Sequence, residues 1–167
     1  MVDRRIIGLG HTGVWVHDLE IMRKFYVEVL GLTVTDEDDE RGIVFLSSRP
    51  LDEHHEMVLQ RGRVGGAESK VVNQISWRLA SIEDLQYFDR TLEDGGVKIQ
   101  QKVTHGNALG IYFFDPEGNR LEVYWATGDD VPQPFRKSID LQGRADQLLA
   151  ESRKLVEEGG NPYQPVQ

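Results

Sequence analysis

The side chains best suited to metal binding or proton transfer in this sequence are its five histidines and one glutamate that lies on a predicted strand. The histidines are at positions 11, 17, 54, 55 and 105, and Glu122 lies in the last predicted strand. Gln74 occupies the position that corresponds to His11 in a second copy of the same pattern. If both copies contribute their first strands to one curved sheet, an imidazole, an amide oxygen and a carboxylate converge, and such groups bind divalent cations. The sequence therefore predicts a metal site formed by His11, Gln74 and Glu122.

The elements that must position these residues occur twice along the chain. A β-rich run at 9–16 precedes a helix capped by Asp18, and a run at 71–79 precedes a helix that starts with a capping box of Ser81 and Asp84. Three short strands complete each half, at 32–35, 43–47 and 57–60 and then at 97–100, 109–114 and 120–125, with the acidic run 36–40 as a solvated turn. This order predicts an α+β fold of two tandem βαβββ modules that form a curved mixed sheet around a metal or ligand cleft.

The predicted modules cover about 6–62 and about 71–128, and together they form one domain at 1–128. Residues 129–167 are predicted to be an extended tail followed by an amphipathic C-terminal helix. Such a helix docks either on its own domain or on a second subunit. Because βαβββ units can also pair between chains, we expect a homodimer.

Composition excludes several other classes of protein. The 167 residues include 19 Lys+Arg and 28 Asp+Glu, and a formal net charge of −9 does not favour nucleic acid or a membrane surface as a partner. The absence of Cys excludes a disulfide scaffold, a thiolate metal site and a Cys nucleophile. No apolar stretch has the length of a signal peptide or a transmembrane helix, so a cytoplasmic protein is expected.

The most specific motif of the chain lies at 103–122. It consists of Val-Thr-His at 103–105, Ile-Tyr at 111–112, Asp-Pro-Glu-Gly at 115–118 and Glu122. Together with His-Thr-Gly at 11–13 and the paired βαβββ pattern, this spacing resembles the vicinal oxygen chelate superfamily, and within it most closely the type I extradiol dioxygenases. The superfamily also includes glyoxalase I, fosfomycin-resistance proteins and bleomycin-resistance proteins. The resemblance covers residues from about 6 to 128.

The resemblance to extradiol dioxygenases implies a metal centre and its reaction. His11 and Glu122 would be metal ligands, and Gln74 stands where these enzymes have a second histidine ligand. An amide oxygen would hold the metal more loosely than an imidazole. The implied metal is Fe(II), with Mn(II) as an alternative. The implied reaction is the ring cleavage of a catechol-like aromatic diol with O2.

The same resemblance implies three catalytic side chains. Tyr112 would hydrogen-bond a substrate oxygen or a metal-bound oxygen, and His105 would line the cavity and orient a polar group of the substrate or intermediate. His55, preferred over His54, would be the histidine that takes a catechol proton and later returns it. Because alternate residues of a strand face opposite ways, a shift of one residue would bring His54 to the site instead.

Two other interpretations stay open. Glyoxalase I uses Gln, Glu, His and Glu as ligands. The internal repeat makes His11 equivalent to Gln74 and Glu56 equivalent to Glu122, and these four residues supply the same types in another order. That interpretation implies a Zn(II) or Ni(II) isomerase or lyase in which Glu56, and not His55, faces the metal. The other implies a small-molecule binding protein without catalysis, similar to the bleomycin-resistance proteins.

Overall fold

Strand, helix and three strands occur twice in the computed structural model, which describes residues 8–66, 68–69 and 72–159. The first set is β1 (Thr12–Val16), α1 (Leu19–Glu28), β2 (Thr33–Asp38), β3 (Ile43–Ser47) and β4 (Met57–Arg61). The second set is β5 (Ile75–Arg78), α2 (Ile82–Asp94), β6 (Ile99–Thr104), β7 (Ala108–Phe114) and β8 (Arg120–Ala126). Strand β9 (Lys137–Ser138) and helix α3 (Ala145–Glu157) follow. The α+β class, the repeated βαβββ order and the C-terminal helix are confirmed, while the expected limits at residues 6, 71 and 167 lie outside the described residues.

The first of two compact units ends at Ser69 and contains a four-stranded sheet. Its strand order is β1-β4-β3-β2, with β1 and β4 parallel and the other pairs antiparallel. The apolar side chains that alternate along β1, β3 and β4 are buried on the face that carries α1, and they are Val14, Val16, Val44, Leu46, Met57 and Leu59. Asp18 caps α1 by accepting the Ile21 N–H, as predicted. The intervening residues of these strands point to the opposite face of the sheet, away from α1.

The second unit contains the remaining sheet, with strand order β5-β8-β7-β6-β9. Helix α2 packs on β7 and β8, where Leu109, Ile111, Phe113, Leu121 and Val123 are buried. The predicted capping box of Ser81 and Asp84 starts this helix. Each unit thus has its own hydrogen-bonded sheet, where the sequence had suggested a single curved one.

Several predicted strand limits are wrong. Asp36 to Asp38 were expected in a turn but belong to β2, the edge strand of its sheet. They come directly after a bulge within this strand, between Val34 and Asp36. The first strand of the second unit is shorter than 71–79 and starts after Gln74, and residue 71 lies outside the described residues. Strand β6 begins and ends later than 97–100, so Val103 and Thr104 of the motif lie within it.

The tail after β8 is part of the second unit and packs on β6. Helix α3 buries Leu148 and Ser152, and the Ser152 hydroxyl lies 2.6 Å from the Thr104 hydroxyl of β6. Strand β9 pairs with β6, an element with no signal in the sequence. Of the two expected docking modes, this contact corresponds to docking on the same chain. None of the described helices is both long enough and apolar enough to span a membrane.

Candidate active site

Tyr112 and Glu122 form the centre of an open cleft in the second unit. They are directly opposite each other on β7 and β8, on the face of the sheet away from α2. The cleft has a volume of about 430 Å³ and is lined by Ser76, His105, Asn107, Ala108, Tyr112, Glu122, Tyr124 and Ala126. A concave surface with a few converging polar groups is the usual form of a small-molecule site.

The Glu122 carboxylate is buried, with 6% of its surface exposed, and it is held by polar neighbours. The Ser76 hydroxyl donates to its Oε2 at 2.5 Å, and the Gln74 side-chain N–H donates to the same oxygen at 3.3 Å. Hydrogen bonds to a buried carboxylate offset the loss of its hydration. A Cβ at Gly110, its neighbour on β7, would lie 3.0 Å from Glu122 Oε1. The carboxylate is therefore confined on both sides.

The Gln74 side chain lies between the Glu122 carboxylate and the Arg120 guanidinium and is hydrogen-bonded to both. Its Oε1 accepts a hydrogen bond of 2.7 Å from Arg120, and its N–H also donates to Ser76 at 3.0 Å. An amide binds a metal through its oxygen. The donor set of carboxylate and amide suits a divalent cation, but ligation by Gln74 requires this oxygen to leave Arg120.

Tyr112 lies among groups that keep its hydroxyl protonated. Burial, followed by the adjacent Glu122 carboxylate, raises the pKa of Tyr112 well above its usual value, and nearby Arg120 and Arg136 only partly offset this. The Arg120 guanidinium lies over the Tyr112 ring, 4.0 Å from its centroid. The hydroxyl is 3.1 Å from His105 Nε2. At neutral pH Tyr112 is thus a hydrogen-bond donor.

The structure brings four of the predicted site residues together: His105, Tyr112 and Glu122 line the cleft, and Gln74 is hydrogen-bonded to Glu122. Sequence reasoning missed Ser76, Arg120 and Phe135, whose carbonyl oxygen lies 2.8 Å from His105 Nδ1. Ser76 could have been found, because it is two residues after Gln74 and therefore on the same face of a strand. Nothing in the pattern indicates Phe135.

The first unit brings His11 and His55 together. Their ring centroids are 4.3 Å apart, and the Phe45 ring lies 5.1 Å from that of His55. His54 Nδ1 is 2.9 Å from His55 Nδ1. Burial lowers the pKa of His55, and the neighbouring His11 and His54 lower it further. His55 is therefore neutral at neutral pH and able to accept a proton.

The Glu56 side chain is engaged elsewhere in the same unit. Its carboxylate accepts hydrogen bonds from the Ser48 N–H at 2.9 Å, the Ser48 hydroxyl at 2.6 Å and Arg49 Nε at 3.1 Å. Strand pairing also corrects the expected equivalence of Glu56 with Glu122. Val58 lies opposite Gly13 on β1, just as Glu122 lies opposite Ser76 on β5. Val58 is thus the structural equivalent of Glu122.

His17, which the sequence did not assign to the site, has its Nε2 2.8 Å from the Gly65 carbonyl oxygen. In the part of the chain that the structure describes, no group of three or more His, Asp and Glu side chains is arranged to hold a metal.

The chain belongs to the Glyoxalase/Bleomycin resistance protein/Dioxygenase superfamily, which it matches over residues 8–123. This confirms the resemblance inferred from the sequence. Divalent metals are bound within the superfamily: a fosfomycin resistance protein, FosX, of Listeria monocytogenes has been solved as a variant with Mn(II) and 1S,2S-dihydroxypropylphosphonic acid. It is 17% identical, with a TM-score of 0.58 over 72% of this chain and 90% of that one, so the likeness concerns the fold.

Two curated relatives have different activities. A 1,2-dihydroxynaphthalene dioxygenase of Pseudomonas sp. (strain C18) is 28% identical over 144 residues, which are 83% of this chain and 45% of the relative. The chain thus spans about half the length of that dioxygenase. The metallothiol transferase FosB of Bacillus licheniformis is 25% identical over 138 residues, 81% of this chain and 86% of the relative. Both relatives are enzymes, which supports an enzymatic role for this chain within the superfamily.

Proposed function

We propose that the protein is a metal-dependent dioxygenase of the extradiol type, which cleaves a catechol-like aromatic diol with O2. The observation that carries this proposal is the pairing of Tyr112 with Glu122 in an open cleft, with His105 Nε2 at 3.1 Å from the Tyr112 hydroxyl. These three residues are also the ones that match the extradiol motif in the sequence. The likeness to a 1,2-dihydroxynaphthalene dioxygenase supports the same reaction.

His11, Gln74 and Glu122 are proposed as the residues that hold the metal, with Fe(II) as the first choice and Mn(II) as the alternative. One imidazole and one carboxylate with an oxygen donor suit either ion. Bound Fe(II) would orient the diol and supply electrons to O2. Arg120 would compete with the metal for the side-chain oxygen of Gln74, because its guanidinium donates a hydrogen bond to that oxygen.

The remaining side chains would manage protons and substrate orientation. Tyr112 stays protonated, since the pKa of its hydroxyl is raised, and this hydroxyl forms a hydrogen bond with the substrate. His55 is neutral and takes a proton from one catechol hydroxyl, since its pKa is lowered. His105 holds Tyr112 in place through their hydrogen bond.

The test uses protein purified without chelators or metal-affinity columns. Elemental analysis should find near-stoichiometric iron, and His11→Ala should lose most of it. O2 uptake with catechol, 2,3-dihydroxybiphenyl and 1,2-dihydroxynaphthalene should fall about 100-fold in His55→Gln, as expected for the loss of a general base. His17→Gln, a histidine outside the proposed site, is the matched control and should retain full activity. Iron-loaded protein that consumes no O2 with any of these diols would refute the proposal.

A second candidate is a metal-dependent transferase, isomerase or lyase acting on a small molecule. Its support is the likeness to the metallothiol transferase, which is 25% identical and matched over 86% of its length. Zn(II), Ni(II) or Mn(II) in place of iron, with thiol transfer or isomerisation and no O2 uptake, would select it. Ligand binding that is unchanged after chelation would instead indicate a binding protein. The homodimer and the cytoplasmic location stay predictions.

A further inference from the structure

The partner of His105 in the tail determines which of its two ring nitrogens carries the proton. His105 Nδ1 lies 2.8 Å from the carbonyl oxygen of Phe135. A carbonyl oxygen only accepts hydrogen bonds, so Nδ1 must be the protonated nitrogen. In the neutral ring Nε2 then has no hydrogen and accepts from the Tyr112 hydroxyl at 3.1 Å. The tail therefore sets the direction of the hydrogen bond inside the cleft.

Gln133 fixes the position of this carbonyl. Its side-chain oxygen accepts the Phe135 backbone N–H at 3.1 Å, and its side-chain N–H donates to the His105 backbone carbonyl at 2.8 Å. One amide thus connects the two residues whose distance matters. The Phe135 side chain is also buried, which anchors the same segment.

The turn after His105 is shaped for the tail as well. Gly106 has a φ of 76°, and a Cβ there would lie 2.7 Å from the Val131 side chain. Only glycine allows both this backbone conformation and this close approach. The tail and the loop after β6 are thus in close contact next to His105. The tail lies outside residues 8–123, which match the superfamily.

We propose that residues 131–138 are part of the active site and that Gln133 is a positioning residue, which holds His105 as the Nδ1–H tautomer so that Nε2 accepts from Tyr112. The catalytic consequence rests on the proposed function, whereas the tautomer does not. With the other tautomer, an Nε2–H would face the Tyr112 oxygen, and Tyr112 would no longer donate to His105. Loss of Gln133 should therefore reduce turnover without removing the metal.

The tautomer can be measured directly by long-range 1H–15N correlation on protein labelled with 15N-histidine, at a pH above the imidazole titration. The wild-type His105 should be the Nδ1–H form. In Gln133→Ala the ratio of the two tautomers should shift roughly fivefold toward Nε2–H, as expected for the loss of one hydrogen bond. Gln142→Ala is the matched control, because this tail glutamine binds the Asp89 carboxylate and does not touch His105.

Kinetics separate this inference from the proposed function. If the protein is the proposed dioxygenase, kcat of Gln133→Ala should fall about tenfold with KM and iron content unchanged, whereas Gln142→Ala should change neither the tautomer nor kcat. An Nε2–H tautomer in the wild type, or an unchanged ratio in Gln133→Ala, would overturn the inference. If Gln133→Ala does not fold, Gln133→Glu, which keeps the acceptor for Phe135 N–H and loses the donor to His105, takes its place. Absence of O2 uptake in the wild type would refute only the proposed function.

Discussion

Replacing Gly110 by alanine should disturb the Glu122 carboxylate with little effect on the fold. The new Cβ would lie 3.0 Å from Glu122 Oε1, closer than an ordinary contact of 3.4–4 Å. The carboxylate must therefore move by a few tenths of an ångström. It is not free to do so, because Ser76 holds its Oε2 at 2.5 Å.

The expected loss follows from the precision that catalytic groups require. A site works when its groups are held within about 0.5 Å of the productive geometry, and a misplacement of about 1 Å costs about 100-fold in rate. A shift of a few tenths of an ångström in Gly110→Ala should then lower kcat/KM about tenfold, or about 1.4 kcal/mol of transition-state stabilisation. Affinity for Mn(II), measured by calorimetry as an air-stable probe, should fall by a similar factor.

Gly13→Ala is the matched control for adding a methyl group to a strand glycine. Its nearest neighbour would be Val58 Cβ at an ordinary 3.6 Å, and neither Gly13 nor Gly110 has a positive φ. The control should change Mn(II) affinity less than twofold, and thermal unfolding should show that both variants fold. If Gly110→Ala keeps affinity and O2 uptake within twofold of the wild type, the confinement of Glu122 does not matter and the reasoning is wrong.

Two further predictions concern side chains outside the cleft. Burial alone would raise the pKa of Glu56, but hydrogen bonds from Ser48 and Arg49 lower it overall from its ordinary value near 4.5. The folded state therefore gains stability above that pH and loses it as the pH falls through the lowered pKa. Glu56→Gln should therefore reduce the melting temperature at pH 7 and converge with the wild type in acid, and an equal difference at both pH values would contradict this. Asp89, 1% exposed, forms an ion pair of 2.5 Å with Lys102, so Asp89→Ala should cost about 3 kcal/mol in urea unfolding. The exposed Glu93, which binds the same lysine, is the control, and Glu93→Gln should cost less than about 1 kcal/mol; similar costs for both variants would count against a buried pair.

Local patterns predicted the helices better than the strands. The caps at Asp18 and Ser81 are contacts between residues three apart, so the sequence contains the whole interaction. The limits of β2 and β6 depend on the strands with which they pair, and those partners come from distant parts of the chain. The acidic residues of β2 were taken for a turn because charge alone does not distinguish a solvated turn from an outer strand.

The site shows the same limit. The motif at 103–122 correctly brought His105, Tyr112 and Glu122 to one place, because β7 and β8 are consecutive and pair directly. Internal repetition matched Glu56 with Glu122 instead of Val58, since weak similarity does not fix a register to the residue. The Phe135 carbonyl could not be predicted, because a backbone oxygen has no signature in the sequence.

The short strand β9 has a consequence for the solution behaviour of the protein. It covers the side of β6 at Val103 and Thr104, where unpaired N–H and C=O groups would otherwise face solvent. An uncovered strand of this kind is a template for pairing with another chain. Proteolytic removal of the tail would therefore expose an unpaired sheet edge and remove the Phe135 carbonyl oxygen beside His105. The truncated protein should then self-associate through this edge.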